Sequence, residues 1–378
     1  MDHERGGWLV RPVAITIIML ALVLGNRRAV AYPQFQLSKD QTCNSCHLSP
    51  AGGGLLSENG LSVAETNATH DVVPEAAHGA LVGPNWLEVS AELRGAAGMV
   101  DDRGAHADAF PMQADAEAAV TGHGFTVFAI LGAQEGNGGD ALSYVESRQH
   151  WVMWQSNPGS TSGLYIRIGR FMPVYTLRFV EHTIYTQRYG QAPLYGEAYG
   201  AAVEYVTGGW EAHVTAFVHD PIQYSAENGD GVAIYTEARP TKSFSVGLEG
   251  RYAHSDLDAR LAGGATAKLW IAPGNVLVEA ESQVIHQTFD TGGSRDQLVN
   301  YLMGSWFFHP GWMLDVGLGE FDEDTNVPRV DLECIDANLH WFATSHWELL
   351  FTGRIQSIAL GAGGPNSGYA LLQFHYRL

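Results

Sequence analysis

From Pro84 to the end of the chain, one pattern repeats. Segments of about ten to fourteen residues alternate apolar and polar side chains, and clusters of Gly, Pro, Asn and Asp separate them. A period of two sends successive side chains to opposite faces of a strand, so each segment has one oily face and one wettable face. Leu87, Val89, Ala91 and Leu93 alternate with Glu88, Ser90, Glu92 and Arg94. Trp347, Leu349, Phe351 and Ile355 alternate with Glu348, Thr352, Arg354 and Gln356, and the last residues, Ala370 to Leu378, keep the same rhythm to an apolar terminus.

This spacing predicts strands near 86–99, 109–121, 124–134, 142–155, 162–172, 197–207, 210–219, 230–238, 243–254, 261–271, 275–288, 295–307, 312–321, 330–342, 346–358 and 367–378. The set numbers sixteen, and an even number returns both ends of a closed sheet to one side. The expected fold is therefore all-β: a transmembrane outer-membrane β-barrel of sixteen strands over residues 84–378. Short connections such as 122–124, 157–159, 208–209 and 272–274 alternate with longer ones such as 173–196, 220–229 and 322–329, as periplasmic turns alternate with external loops. Tryptophans support this reading, because indoles favour the membrane–water interface. Trp86, Trp151, Trp154, Trp210, Trp270, Trp306, Trp312, Trp341 and Trp347 all fall near the ends assigned to short turns. A large soluble β-sandwich would alternate too, but it has no reason to collect indoles on one side.

Inward positions in this register include Glu88, Glu92, Arg94, Asp115, Glu117, Glu146, Arg148, His150, Arg167, Glu279 and Glu281. A mixed-charge, wetted lumen is the ordinary expectation; a field drawing cations inward is the functional alternative. The connection 173–196 carries Arg178, Glu181, His182, Tyr185, Arg188 and Tyr189, enough charge and ring area to fold inward and narrow the bore or to pack on itself outside. Asp322, Glu323 and Asp324 read as a solvated acidic loop, with transient metal binding as the alternative. Cys334 falls on an inward position as an inert thiol.

The first 83 residues are different. Val13 to Leu24 is an apolar run behind Arg5 and Arg11, followed by Ala29-Val30-Ala31, which together read as a secretory signal peptide over residues 1–31. Its removal takes two carboxylates and four arginines, leaving a chain more acidic than the −20 of the whole sequence. Nucleic acid is thus an unfavourable partner, whereas outer-membrane lipid and basic redox proteins are compatible.

Residues 32–83 have no strand rhythm and contain Cys43-Asn44-Ser45-Cys46-His47. That spacing reads as a c-type haem attachment site: two thiols form thioether links and the adjacent imidazole of His47 becomes the proximal iron ligand. A disulfide, a dithiol redox pair or half a zinc site are the competing readings. A zinc site lacks its second thiol pair, since Cys334 is the only other cysteine. The segment contains no methionine, so a distal ligand from within it would be His70 or His78; His150, Met112 and Met153 of the barrel are further candidates. The run Gly52-Gly53-Gly54 either lets backbone lie close to a macrocycle or forms a flexible linker.

A single haem motif behind a signal peptide, joined to a barrel that fills the remaining chain, resembles the fused monohaem cytochrome-porins of iron-oxidising bacteria. Cys43, Cys46 and His47 carry the likeness, with weaker similarity in the spacing of Pro50 and Gly60. The resemblance implies one covalent haem c, a sixteen-stranded barrel and electron flow from extracellular ferrous iron to a periplasmic c-type cytochrome, an iron:cytochrome c oxidoreductase. The Gly52–Gly54 run departs from the family pattern. Three functions follow as expectations: an outer-membrane electron conduit, a solute porin with a periplasmic haem docking or sensing segment, and a haem enzyme with an open iron site.

Overall fold

The computed structural model describes residues 35–38, 41–70, 84, 86–101, 104–134, 144–179, 183–192, 196–220, 229–328, 331–358 and 366–377. The expected signal peptide and His78 lie outside them. Sixteen strands run in chain order: β1 (Leu87–Asp101), β2 (Ala105–Gly122), β3 (Phe125–Gln134), β4 (Tyr144–Gln155), β5 (Gly163–Phe171), β6 (Ala198–Val206), β7 (Trp210–Val218), β8 (Asp230–Thr241), β9 (Phe244–His254), β10 (Asp258–Ile271), β11 (Val276–Phe289), β12 (Ser294–His309), β13 (Trp312–Asp322), β14 (Asp331–Phe342), β15 (Trp347–Ile358) and β16 (Asn366–Arg377). Each pairs antiparallel with its neighbours, and β16 returns to β1 with Glu92 opposite Arg377, so the sheet has no free edge.

Strand β7 shows why these residues make a wall. Glu211, His213, Thr215 and Phe217 are buried on the inner side, while Trp210, Val214, Ala216 and Val218 are exposed on the outer side. Around the cylinder the outer side presents a continuous series of exposed apolar residues, including Leu248 (66% exposed), Ile168 (61%) and Leu261 (59%). Such a band is stable only in lipid. No helix among the described residues is long and apolar enough to cross a membrane; the strands cross.

Many charges on the inner face are paired, which offsets the cost of burying them. Arg167 meets Glu204 at 3.0 Å, Arg170 meets Asp220 at 2.6 Å, Lys268 meets Glu237 at 2.8 Å and Arg354 meets Asp336 at 2.6 Å. Of the residues read as inward from the sequence, Glu92, Asp115, Glu117, Glu146, Arg167, Glu279 and Glu281 are buried on this side, but His150 is not: a bulge opposite Ile130 and Leu131 shifts β4, so Trp151 and Met153 face the bore and His150 pairs with exposed Ala129 on the outer face. The indoles agree with two exceptions: Trp86, Trp210 and Trp347 are exposed at the short-turn end, but Trp151 is buried in the bore, its ring 4.8 Å from that of Phe128, and Trp270 faces inward against Phe307 at 5.9 Å. Three hairpins also extend beyond the expected ends, so the outer connections 102–104, 255–257 and 290–293 are as short as periplasmic turns.

Candidate functional site

The bore is filled from both ends. At the outer side, the connection after β5 turns inward: Val174, Tyr175, Leu177, Phe179 and Ile184 are buried, and a short helix, α4 (Tyr185–Arg188; α1–α3 belong to the amino-terminal segment below), packs on β11 to β13. Phe179 and Ile184 pack with Tyr301 and Met303, Tyr189 stacks on Phe321 at 4.2 Å, and the Arg354 guanidinium donates to the Thr183 carbonyl at 2.6 Å. Inward folding of 173–196 is thus the arrangement seen, although Glu181 and His182 lie outside the described residues.

At the short-turn end the amino-terminal segment enters. As the lack of strand rhythm predicts, no strand of the barrel lies here among the described residues; three helices form, α1 (Phe35–Ser38), α2 (Cys43–Cys46) and α3 (Glu58–Asn67). Ser57 caps α3 by accepting from the Gly60 amide at 3.2 Å, and its amide donates to the Cys46 carbonyl at 2.9 Å, folding α3 back onto α2. Gly60 is needed at that contact, since a Cβ there would lie 3.1 Å from the Cys46 Cα and closer still to its carbonyl.

Two leucines seat the segment in the wall. Leu37 packs with Leu277, Phe307 and Met313, and Leu55 with Phe128, Trp151 and Tyr165. At about 1.5–3 kcal/mol for each fully buried leucine, they outweigh the polar contacts singly. Those polar contacts fix orientation: Asn44 donates to the Tyr165 hydroxyl at 2.7 Å, Arg167 to Ser49 at 3.1 Å, Lys268 to Gln36 at 2.6 Å, and Thr69 to the Phe342 carbonyl at 2.8 Å. The glycine run has a defined role here. All three residues have positive φ (82°, 74° and 63°), and guanidinium groups hold both ends, Arg178 on the Ala51 carbonyl at 2.7 Å and Arg377 on the Gly54 carbonyl.

Between segment, wall and inward loop lies a cavity of about 530 Å³, within the usual ~300–1,000 Å³ of ligand sites. Cys43, Cys46 and His47 all line it. Three-residue spacing in one helical turn brings the two thiols to one face, and the chain leaves the turn extended at His47 (φ −119°, ψ 153°), bringing the imidazole to the same space. Neither cysteine is in a disulfide, and burial pushes both thiols up, so they stay protonated. Burial drives the His47 imidazole down to about 4, the Arg377 charge adds to this, and the neighbouring Gly54 and Gly53 carbonyls oppose it. The ring is therefore neutral at neutral pH, the form that ligates metal. Its Nδ1 is buried with no hydrogen bond among the described residues.

Two thiols and a neutral imidazole on one cavity, with the cations Arg167, Arg178, Lys268 and Arg377 also lining it, fit a haem c with its two carboxylates. Of the distal candidates, His70 is exposed and away from the cavity, His150 bonds Ser147 at 2.9 Å, Met153 is buried beside Phe128 and Trp151, and none of these nor Met112 lines it. Met172, His346 and His375 do, and nothing local in the sequence singles them out; only the closed fold brings them there. In the acidic loop Glu323 pairs with Arg295, and no group of three His, Cys, Asp or Glu able to hold a metal occurs among the described residues. Cys334 is buried against Tyr185 and Asp336.

No family model matches the sequence, and no curated protein does. Solved structures do match in fold. The outer-membrane expressed OmpT of Vibrio cholerae superposes with a TM-score of 0.61 at 10% identity, covering 79% of this chain and 100% of that one. An anion-selective porin from Comamonas acidovorans gives 0.61 at 13% identity over 77% and 99%, and Salmonella typhi OmpF in complex with daunomycin gives 0.59 at 11% over 77% and 97%. The chain folds as these outer-membrane porins do. With identities this low, the likeness concerns the barrel alone and leaves the amino-terminal segment to be read from its own residues.

Proposed function

We propose that the protein is an outer-membrane electron conduit. One haem c, joined to Cys43 and Cys46 and ligated by His47, would pass single electrons between an extracellular donor, ferrous iron being the candidate, and a periplasmic c-type cytochrome. The observation that carries this reading is the position of Cys43, Cys46 and His47 on a cavity inside the bore, between a seated segment and an inward loop. An apolar band of about 25 Å separates the two aqueous sides. A redox centre serves both only if the wall shelters it part-way, and the packing of Leu37 and Leu55 on inner-wall residues supports that placement. The chain's own residues then have plain tasks. Buried Leu37 and Leu55 seat the segment, Arg178 and Arg377 fix the glycine run, and the low basicity of His47 keeps its lone pair available. Haem, when bound, supplies one-electron oxidation and reduction. The test is an optical spectrum of haem-loaded outer membranes as ferrous iron is added to whole cells. Prompt reduction of a c-type band is expected, and no reduction by any impermeant external reductant would end the proposal.

A second reading has its own support. The barrels matched are porins, so the fold likeness favours a solute porin in which the segment is a haem-bearing docking or sensing module at the periplasmic mouth. Planar-bilayer conductance separates the two. A conduit with a seated segment passes little current, and deletion of residues 32–83 opens it; a solute porin conducts with the segment present.

A further inference from the structure

We infer that the outer end of the bore holds a binding site for one small oxyanion, of the phosphate or carboxylate type, anchored by Arg251. The site is a second cavity, of about 160 Å³, between the inward loop and the outer ends of β7, β9 and β10. It is smaller than the ~300–1,000 Å³ usual for drug-sized ligands, so only a small ligand fits. Pro173 lines both this cavity and the one that carries the cysteine–histidine motif, so the inward loop is the partition between them. The inference needs no haem and stands or falls apart from the preceding reading.

Arg251 enters the cavity from β9. Its cross-strand partners on both sides are buried alanines, Ala233 of β8 and Ala262 of β10, which leave room around the long side chain. Its Nη1 donates to the Gln191 side-chain oxygen at 2.6 Å, and the group lies 5.0 Å from the Phe217 ring. A guanidinium carries more N–H donors than these contacts use. Among the described residues no carboxylate pairs with it, and its remaining donors are not among the sealed polar atoms, so they stay open to the cavity. A guanidinium withdrawn from bulk water without a counter-ion is completed by an anion that accepts from its fork.

The neighbouring charges agree. Arg188, exposed at the end of α4, touches only the Tyr189 ring, at 5.5 Å. The acids lining the cavity are committed elsewhere: Asp258 holds Arg260 at 2.8 Å, Asp220 holds Arg170 at 2.6 Å and Glu197 faces Arg148 at 4.0 Å. His219 bonds Asp230 at 2.9 Å. Arg188 and Arg251 are thus the cations left over, and the three carboxylates around them repel any anion too large to stay clear. The backbone sets the anchor in advance. A Cβ at Gly190 would collide with the Thr186 carbonyl oxygen, and Gln191 follows with φ 72°, in the left-handed region that costs a non-glycine residue. That turn brings the Gln191 carboxamide to Arg251 and fixes the fork before a ligand arrives.

The experiment uses the full-length protein in lipopolysaccharide-free detergent micelles at low ionic strength, with inorganic phosphate and oxalate as probes. Isothermal titration should show one saturable site per barrel, for which the two anions compete. Arg251→Ala should weaken both about ten- to hundredfold, as loss of a charge-assisted bond requires. Arg251→Lys keeps the charge without the planar fork and should fall between. Lys242→Ala, which removes a positive charge from the turn between β8 and β9 at the opposite mouth, should bind as the wild type does. In the wild type, phosphate should protect Arg251 from phenylglyoxal, read by peptide mass spectrometry. An Arg251 modified equally with and without phosphate, or never modified, overturns the inference, and this measurement holds even if Arg251→Ala fails to fold. So does the absence of saturable binding, or an unchanged affinity in Arg251→Ala with heat-modifiable migration intact. Phosphate binding that appears only after lipopolysaccharide is added assigns the anion to the lipid and overturns it as well.

Discussion

Arg178→Ala tests whether the amino-terminal segment and the inward loop hold one another in place. The guanidinium donates to the Ala51 carbonyl at 2.7 Å, pairs with the fully buried Glu211 and lies 5.2 Å from the Tyr235 ring. Truncation deprives two buried acceptors of one donor. A carboxylate left wholly unpaired in an interior costs about 3–5 kcal/mol, but Glu211 keeps Arg239 at 2.9 Å, so that limit is not reached. One hydrogen bond to a charged group contributes about 1.5–3 kcal/mol, and the surviving partner places this case near 2–3 kcal/mol. At about 1.4 kcal/mol per tenfold, the undocked fraction of the segment rises roughly 30- to 150-fold. Hydrogen exchange reads this directly. The Leu48 amide, bonded to the Leu55 carbonyl, and the Gly52 amide, bonded to the Ser49 carbonyl, should exchange faster by that factor, while β-ladder amides keep their rates. Arg178→Lys keeps the charge but replaces a planar fork by a compact ammonium, so an intermediate acceleration is expected. Unchanged exchange at Leu48 and Gly52 in Arg178→Ala, with the ladder intact, would refute the coupling.

Three further predictions follow from the same geometry. Cys43→Ser combined with Cys46→Ser should abolish covalent haem on a denaturing gel while the heat-modifiable migration of the barrel persists, because the wall does not depend on these thiols. Gly60→Ala should separate α3 from α2, costing about 1–3 kcal/mol by overpacking and lowering haem incorporation, read as haem per barrel. In the haem-free double serine variant, His47 should titrate near 4 by nuclear magnetic resonance rather than near its unfolded value of about 6.5. Its folded value is depressed, so the unseated segment takes up a proton first: seating is at full strength above about pH 6.5 and weakens as pH falls toward 4.

The wall was legible because a strand in a barrel meets two opposite solvents, and Glu211, His213 and Thr215 must alternate with Trp210, Val214 and Val218 wherever the fold puts them. Strand ends were less so. At β1–β2 and β9–β10 the ladder runs through residues that carry turn-like composition, since pairing with a neighbour continues past the point where alternation fades. Trp151 escaped the interface rule because the lumen there is not water but Phe128, Leu55 and the Arg167 guanidinium at 5.6 Å, a surface an indole can cover. The cysteine–histidine motif was legible by spacing alone. Its surroundings were not, because Met172, His346 and Arg377 come to it from sequence positions well over a hundred residues away and no local pattern records a meeting arranged by closure of the sheet.

Arg377 lies at the seam where the last strand meets the first, opposite Glu92, and it also reaches the glycine run of the segment. An unsealed sheet would lack that arm, and with it the His346 carbonyl's partner, so the binding place for the amino-terminal segment is itself a product of cylinder closure. Seating the segment therefore depends on a contact that exists only where the last strand is paired with the first.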